Sequence, residues 1–377
     1  MTFYFKIIGS KKANKDVLFI ESFTYDGAGY EYRVKHWQSI LLQKGLKVES
    51  VVVIEDAKTF FQESKTENLP NFILKNIRIR IQQIIYSRQF KLVIVRRNLV
   101  VYNQYGNHFM EKFLLAAHQN CILDFDDDLG AQEPIPENTF FNKIIQHTTH
   151  QFYNSFKYYN GFICGSNYLK DLLQSHRPSQ NVVVIPTCVD YTNFSPKVYS
   201  TNKPDVITFG WIGGNHNLFL MDTIIPFMNE LSKEVKIELL IIAGLESYDF
   251  NAEFPVIFEQ YSLQTEKESL CKIDIGLMPL TNDAVSKGKC GFKLLQYMGL
   301  GIPGIASAIT VNKEIIDDET NGWLVHNEVD WLHQLRKSVK NYNNLKAIGE
   351  NAIQTVKSKY SFDANSDNYF SFVMRQL

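Results

Sequence analysis

The residues best suited to chemistry lie in one loop rich in lysine and glycine. Residues Ser286–Lys293 read SKGKCGFK, between an apolar run at Ile275–Met278 and a helical pattern that stops at Gly299. Unpaired backbone N–H groups at a helix start carry partial positive charge, lysines add full charges, and glycines let a ligand approach the backbone. These are the properties of a cradle for a phosphate or diphosphate. A solvated lysine-rich loop before an ordinary helix has the same spacing. A single glycine-rich loop is therefore a weak motif.

Other polar groups also follow apolar runs that have the length of strands. Gly27 and Gly29 follow one run, and Gly213-Gly214-Asn215 follows another. Arg97 ends a third run, and the acidic triplet Asp126-Asp127-Asp128 follows a fourth. Open parallel sheets bind ligands beyond the carboxyl ends of their strands. We therefore expect these groups, together with the lysine loop, to line ligand sites.

Short apolar runs alternate along the whole chain with amphipathic helical patterns. This alternation predicts βαβ units, and continuous apolar strands indicate parallel sheets that are buried on both faces. The fold class expected is α/β, with two Rossmann-like, doubly wound domains that face each other across a cleft. We expect domains at 1–200 and 201–360, divided near the polar segment Ser195–Pro204, and a terminal helix at 361–377 that packs back on the first domain. The predicted strands are Val17–Ile20, Val48–Ile54, Leu92–Val95, Cys121–Leu123, Phe162–Cys164, Val182–Ile185, Val206–Trp211, Ile237–Ala243, Ile275–Met278 and Gly304–Ala306; longer helices are predicted over Tyr30–Lys44 and about Asn217–Leu231.

Length, net charge and cysteine content limit the classes of protein that the sequence fits. A length of 377 residues favours two domains, and a net charge of −1 provides no general basic field for nucleic acid. The five cysteines form no CxxC pair, so the sequence indicates neither a disulfide framework nor a zinc site, and it fits a reducing, cytoplasmic location. We identify no signal peptide and no apolar run of about 20 residues that would span a membrane.

One helical pattern has two interpretations. Isoleucines recur at helical spacing between Ile73 and Ile85, with Arg78, Arg80 and Arg88 among them. A basic amphipathic helix of this kind can lie on anionic lipid. The interpretation we favour is a crossover helix packed on a sheet, because such helices are also amphipathic.

The sequence resembles the retaining group 1, family 4 glycosyltransferases of the GT-B fold. The resemblance is specific between about Asp274 and Val325, and it is looser in the N-terminal half. The segments that carry it are Asp274–Leu280, Gly288–Met298, Gly301–Pro303, Val311–Ile316, Asn321–Val325 and Gly210–Gly213, with Tyr32–Val34, Asp126–Asp128, Gly165-Ser166 and Ile185–Asp190 as looser matches.

The resemblance implies a hexosyl or related transferase. Such an enzyme moves a sugar from a nucleotide-diphosphate sugar to an acceptor hydroxyl, with retention and without a metal or other cofactor. The departing phosphate is thought to help deprotonate the acceptor, so we name no protein base. The donor-binding residues implied are Gly213, Gly214, Asn215, Lys289, Gly291, Phe292, Lys293 and Gln296. Family members commonly carry two glutamates eight positions apart, where this chain has Gly288 and Gln296.

We expect the first domain to bind the acceptor, a cell-surface glycan or a glycolipid precursor, with a peripheral contact at the inner face of a membrane. The acceptor-side residues expected are Gly27, Gly29, Arg97, Asp126 and Asp128, and Asp127 joins Lys293 as a candidate catalytic residue. The acidic triplet has three alternatives, which are the cap of a helix, a site for a divalent cation and a solvated turn. His108 and His216 are either part of a site or loop histidines without a role. Trp211 and Cys290 are expected in the core.

Two other function classes stay open at this point. Gly288 and Gln296 also fit a non-catalytic subunit that binds a nucleotide sugar. A dinucleotide-dependent oxidoreductase is disfavoured, because Asp26–Gly29 lacks the third glycine of GxGxxG.

Overall fold

The computed structural model describes residues 13–22, 24–63, 65, 69–99, 108–131, 151–190 and 195–377. They form two compact units, which are described in turn. The first unit ends at Thr187 and also takes in Ser366–Leu377, and the second is Cys188–Asn365.

A parallel sheet of six strands forms the centre of the first unit. Its strands are β1 Lys15–Ile20, β2 Val48–Val51, β3 Phe90–Arg96, β4 Cys121–Phe125, β5 Gly161–Cys164 and β6 Val182–Val184. The order across the sheet is β2-β1-β3-β4-β5-β6, so the direction of winding reverses between β1 and β3. The helices lie at Ala28–Tyr30, Glu31–Lys35 (a π-helical turn), His36–Gln43, Ala57–Glu63, Leu69–Tyr86, Phe109–Ala117, Gln151–Ser155 and Asn167–His176, with 3-10 turns at Ser87–Gln89, Leu129–Ala131 and Phe156–Tyr158.

The helix Leu69–Tyr86 is a crossover helix that packs on this sheet. Ile84 is fully buried in the core, and Ile77 and Ile81 pack against the same cluster, which confirms the favoured interpretation. Arg80 does not belong to an exposed basic face: it is 0% exposed and donates to the carbonyl oxygen of Glu21 at 2.7 Å. The reason is geometric, since residues two apart on a helix point about 200° from each other.

The C-terminal residues complete the core of the first unit. A helix spans Phe362–Met374. Tyr369 stacks on Trp37 with ring centroids 4.1 Å apart, and both side chains are fully buried. Beyond the helix, Gln376 and Asn181 exchange amide hydrogen bonds of 2.7 and 2.9 Å.

The second unit is built on another parallel sheet of six strands. Its strands are β7 Ile207–Ile212, β8 Ile237–Ala243, β9 Val256–Gln260, β10 Ile275–Met278, β11 Gly304–Ser307 and β12 Gly322–Val325. The order β12-β11-β10-β7-β8-β9 reverses its winding between β7 and β10. The helices lie at Phe219–Asp222, Ile225–Ser232, Glu266–Leu270, Ala284–Lys287, Phe292–Gly299, Asn312–Ile315, Asp330–Lys340, Leu345–Thr355 and Val356–Tyr360 (a π-helical turn), with 3-10 turns at Asn215–Asn217 and Tyr342–Asn344.

The second unit departs from the sequence prediction in one helix. A continuous helix over about 217–231 was expected, but the segment breaks into a 3-10 turn, a short helix and a second helix that starts at Ile225. Pro226 explains the break, because proline has no N–H and is tolerated only in the first turn of a helix. The two sheets with helices on their faces confirm the predicted α/β fold class.

Candidate active site

The loop after β7 leaves the sheet where the winding reverses, which is where open α/β sheets bind ligands. Gly213 donates its N–H to the carbonyl oxygen of Ile242, at the end of the neighbouring strand β8, at 3.1 Å. Asn215 accepts from the N–H of Gly244 at 2.9 Å, so its side chain joins the loops that follow β7 and β8. Gly214 is exposed and caps the 3-10 turn Asn215–Asn217.

The helix Phe292–Gly299 begins beside this loop. Gly291 precedes it in the left-handed conformation, with φ of 71°. A Cβ on Gly291 would come within 2.4 Å of the Ile315 side chain, so both the dihedral angle and the packing require glycine here. The helix N-terminus and its partial positive charge therefore lie at the carboxyl end of the sheet.

Lys293 lies in the first turn of this helix and reaches the β7 loop. Its Nζ lies 5.2 Å from the ring centroid of Trp211, and its Cε lies 2.6 Å from the point where Gly213 would carry a Cβ. The structure thus brings Lys293 and Gly213 into contact and places Trp211 in the core, as expected.

The other predicted donor residues lie on the same loop and helix. Lys289 and Phe292 are half-buried, and Gln296 is buried at 4% exposure. Cys290 is buried, which agrees with its expected packing role. These positions fit the donor assignment, which stays a prediction.

Tyr297 fixes this helix to the sheet and was not singled out in the sequence. Its hydroxyl accepts from the N–H of Ile212 at 3.0 Å and donates to the carbonyl oxygen of Leu277 at 3.3 Å. It therefore bridges β7 and β10, the two strands on either side of the winding reversal. The ring fits because Gly276 has no side chain: a Cβ there would lie 2.3 Å from it.

In the first unit, a buried ion cluster occupies the corresponding reversal between β1 and β3. Arg96 pairs with Glu21 at 3.1 Å and with Asp126 at 3.2 Å, and its side chain is only 3% exposed. Although burial favours the neutral acid, the guanidinium groups of Arg97 and Arg96 hold the pKa of Asp126 well below its usual range. Arg33 pairs with Asp124 beneath them, and both are fully buried.

Arg97 is the partly exposed arginine of this cluster. It has φ of 59°, a left-handed backbone conformation that is uncommon for a residue with a side chain. Its guanidinium contacts Asp126 at 3.1 Å and Asp127 at 2.5 Å, with 21% of the side chain exposed. Asp127 is exposed to 25%, so this pair is open to a ligand.

Asp128 caps the turn that follows it, which is one of the alternatives given for the acidic triplet. Its carboxylate accepts from the N–H groups of Gly130 and Ala131 at 3.1 and 3.2 Å and from the hydroxyl of Tyr153 at 2.7 Å. Burial raises the pKa of Asp128 above its ordinary value. A further role on the acceptor side stays a prediction.

The two glycines predicted on the acceptor side differ in their surroundings. A Cβ on Gly29 would lie 2.4 Å from a guanidinium nitrogen of Arg96, whereas a Cβ on Gly27 would meet the carbonyl oxygen and the Oγ1 of Thr24 at 3.4 and 3.6 Å. Gly29 thus packs directly on the ion cluster. The sequence did not single out Arg96, because its two partners come from separate strands.

The two weighed histidines lie at loop ends. His108 precedes the helix Phe109–Ala117 and packs near Tyr158, at 5.3 Å between ring centroids. His216 is exposed, with its Nε2 3.0 Å from the amide nitrogen of Asn217. Among the described side chains, no three or more His, Cys, Asp or Glu residues are grouped so as to hold a metal ion. No helix in the described ranges is both long and apolar enough to span a membrane.

Sequence comparison identifies a known domain in the second unit. Residues 203–341 match the family model described as Glycosyl transferases group 1. Among curated proteins, none matches the chain in sequence.

Solved structures match nearly the whole chain at low sequence identity. Sucrose-phosphate synthase from Thermosynechococcus elongatus is 12% identical, with a TM-score of 0.69 over 96% of this chain and 99% of that one. HepE of Anabaena, in complex with UDP and glucose, is 11% identical, with a TM-score of 0.65 over 96% of this chain and 100% of its own. The lipopolysaccharide outer core galactosyltransferase WaaB is 14% identical, with a TM-score of 0.59 over 96% of this chain and 100% of its own. These likenesses establish the GT-B fold, and the family-model match shows a group 1 glycosyltransferase domain at 203–341.

Proposed function

We propose that this glycosyltransferase moves a sugar from a nucleotide-diphosphate sugar to an acceptor hydroxyl, with retention of configuration and without a metal ion. The observation that carries the proposal is the contact of Lys293 with Gly213 at the winding reversal of the second sheet, beside a helix N-terminus. An ammonium group, a helix N-terminus and glycine backbone in one place suit a diphosphate.

The proposed chemistry depends on charge that develops as the glycosyl–phosphate bond breaks. Negative charge accumulates on the departing diphosphate, and positive charge accumulates on the sugar ring. Lys293 and the N-terminus of the helix Phe292–Gly299 stabilise the diphosphate without rearranging, because both are already in position. The acceptor oxygen then bonds to the anomeric carbon on the face that the phosphate leaves, and the departing phosphate takes the acceptor's proton. Because the new bond forms on the face of the broken one, the anomeric configuration is kept.

We assign acceptor binding to the ion cluster of the first unit. Arg97 and Asp127 are its partly exposed members, and both can hydrogen-bond sugar hydroxyl groups. Asp126 and Asp128 are nearly buried, so their part is to hold Arg97 and the turn at Leu129–Ala131 in place.

The test is a ligand panel on the purified protein. The protein is mixed with UDP, ADP, GDP or the corresponding nucleotide sugars, with and without EDTA. Its melting temperature is then measured, because a ligand that binds only the folded state raises thermal stability. UDP comes first, since HepE is described in complex with UDP and glucose. NMR spectroscopy of the product then reads its anomeric configuration.

Lys293→Ala is the decisive variant, and Lys346→Ala is its matched control. Lys346 is also the second residue of a helix, Leu345–Thr355, but it is exposed and follows no glycine loop. We expect Lys293→Ala to lower turnover about 10²–10³-fold, as for a lost transition-state donor, and Lys346→Ala to leave turnover unchanged. Wild-type turnover in Lys293→Ala, dependence on a divalent cation, or an inverted product would each contradict the corresponding part of the proposal. Nucleotide-sugar binding without release of nucleotide diphosphate for any acceptor would favour the non-catalytic subunit.

We further propose a membrane-attached glycolipid acceptor at the cytoplasmic face of a membrane. WaaB is described as a lipopolysaccharide outer core galactosyltransferase. Leu74, Arg78 and Ile85 share one exposed stripe of the helix Leu69–Tyr86, with Leu74 exposed to 65% and Ile85 to 46%. An apolar and basic stripe of this kind binds anionic lipid surfaces.

Flotation with liposomes of anionic and zwitterionic lipid tests this contact. We expect flotation with anionic liposomes only, and its loss in the variant Leu74→Ser with Ile85→Ser. Leu42→Ser is the control, because Leu42 is exposed to 47% on another helix of the same unit. Equal flotation of all variants, or none of the wild type, would contradict a membrane contact through this stripe.

A further inference from the structure

Trp211 lies directly against the lysine of the proposed diphosphate site. It lies near the end of β7, is 1% exposed and belongs to the main core of the second unit. The Nζ of Lys293 is 5.2 Å from the centroid of its ring. An ammonium group at this distance from the face of an aromatic ring is attracted by the ring quadrupole, and tryptophan gives the strongest such attraction.

Gly213 lies against both the Lys293 side chain and the Trp211 ring. The point where its Cβ would lie is 2.6 Å from Lys293 Cε and 2.7 Å from Cη2 of the Trp211 indole. The lysine stem and the indole edge therefore both occupy space that any side chain at position 213 would take. The sequence Trp211-Ile212-Gly213 thus provides a ring and a gap that together fit one lysine stem.

The backbone under Lys293 is fixed independently. Tyr297, one turn further along the helix, accepts the N–H of Ile212 at 3.0 Å, so the helix is tied to the same strand that carries Trp211. The lysine side chain itself is long and has large rotamer entropy. A contact with Trp211 reduces this freedom before a ligand arrives, which is how preorganisation strengthens binding.

We propose that Trp211 is a positioning residue that holds the Lys293 ammonium group at the diphosphate site. The inference rests on the proposed function, because it assigns Lys293 to the diphosphate of the donor. Trp211 is nearly buried and acts through the lysine, with no contact to the ligand required.

A first test reads the contact without a ligand. Lysine amino groups are converted to ¹³C-dimethylamines, which keep their charge, and the signal of Lys293 is assigned by its loss in Lys293→Met. We expect this signal to be shifted upfield by the ring current of the indole and to lose that shift in Trp211→Leu. A Lys293 signal with no ring-current shift in the wild type would overturn the proposal.

A second test is a double-mutant cycle on ligand affinity, with inorganic pyrophosphate and UDP as probes. Affinities are compared under conditions in which each variant is folded to the same extent. We expect Trp211→Leu to weaken binding about tenfold and Trp211→Phe to weaken it less, because the smaller ring keeps part of the attraction. In the Lys293→Met background, Trp211→Leu should change the affinity by no more than about twofold, since a residue that acts through Lys293 has nothing left to position.

Trp323 provides the matched control. It is also 1% exposed and lies in the same core, but on the edge strand β12. Trp323→Leu should cost stability without weakening the binding of either probe. Equal losses of affinity in Trp211→Leu and Trp323→Leu, or additive effects of Trp211→Leu and Lys293→Met, would overturn the positioning role and leave the proposed function intact. Affinity unchanged in Lys293→Met, or no binding of either probe to the wild type, would overturn the proposed function as well.

Discussion

Gly29→Ala is the substitution whose effect the structure determines most directly. The added methyl group would lie 2.4, 2.7 and 2.8 Å from three atoms of the Arg96 guanidinium. That guanidinium cannot move away freely, because it is 3% exposed and paired with Glu21 and Asp126. Overpacking costs about 1–3 kcal/mol and breaking a buried ion pair costs about 3–5 kcal/mol. We therefore expect Gly29→Ala to lower the free energy of unfolding of the first unit by about 3 kcal/mol.

Guanidinium chloride unfolding followed by circular dichroism measures this loss, and Gly27→Ala is the control. A methyl group on Gly27 would approach nothing closer than 3.4 Å, and the backbone there is extended, so its effect should stay within about 1 kcal/mol. In an Arg96→Lys background the penalty of Gly29→Ala should shrink, because lysine lacks the atoms that collide. Equal stability of Gly29→Ala and wild type, within about 0.5 kcal/mol, would refute the close packing of Gly29 on Arg96.

Other perturbations test the packing, the charges and the thiols. Gly349→Ala would place a methyl group 2.1 Å from the carbonyl oxygen of Gly301, so we expect a loss of about 3 kcal/mol in a denaturant titration, and a loss below about 0.5 kcal/mol would contradict this contact. Asp126→Asn should cost about 3 kcal/mol near pH 7; because the depressed pKa of Asp126 stabilises the fold only above the ordinary carboxyl pKa, the deficit should narrow below about pH 4, and a deficit independent of pH would contradict the pairing. Burial raises the pKa of Cys121 to about 12, while Cys271 is half-buried with a smaller upward shift, so a thiol reagent at pH 8 should label Cys271 first in mass spectrometry of the native protein; faster labelling of Cys121 would contradict its burial.

The strands that the sequence predicts well are those buried on both faces. β3 and β8 contain the continuous apolar runs Leu92–Val95 and Leu239–Ala243, and the structure places both strands in the interior of their sheets. The sequence did not predict β9 or β12, which are the two edge strands of the second sheet. β9 has no buried residue, so its pattern lacks the apolar run, and β12 is short and starts with a glycine.

The candidate site was predictable only in part, for a related reason. Lys293 and Gly213 were singled out because lysines and glycines at the ends of strands have the chemistry of a phosphate site. Arg96 and Tyr297 were missed because their roles depend on partners from other strands: Glu21 lies at the end of β1, and Ile212 lies at the end of β7. Contacts of this kind follow from the register of the sheet, which a single sequence does not specify.

The stacking of Tyr369 on Trp37 has a consequence for synthesis on the ribosome. The strands of the first sheet are translated early, but the helix that covers Trp37 is translated after the entire second unit. At roughly 5–20 residues per second, the nascent chain carries Trp37 without its aromatic partner for on the order of ten seconds or more. The amino-terminal half therefore reaches its final packing only after translation of the second unit is complete.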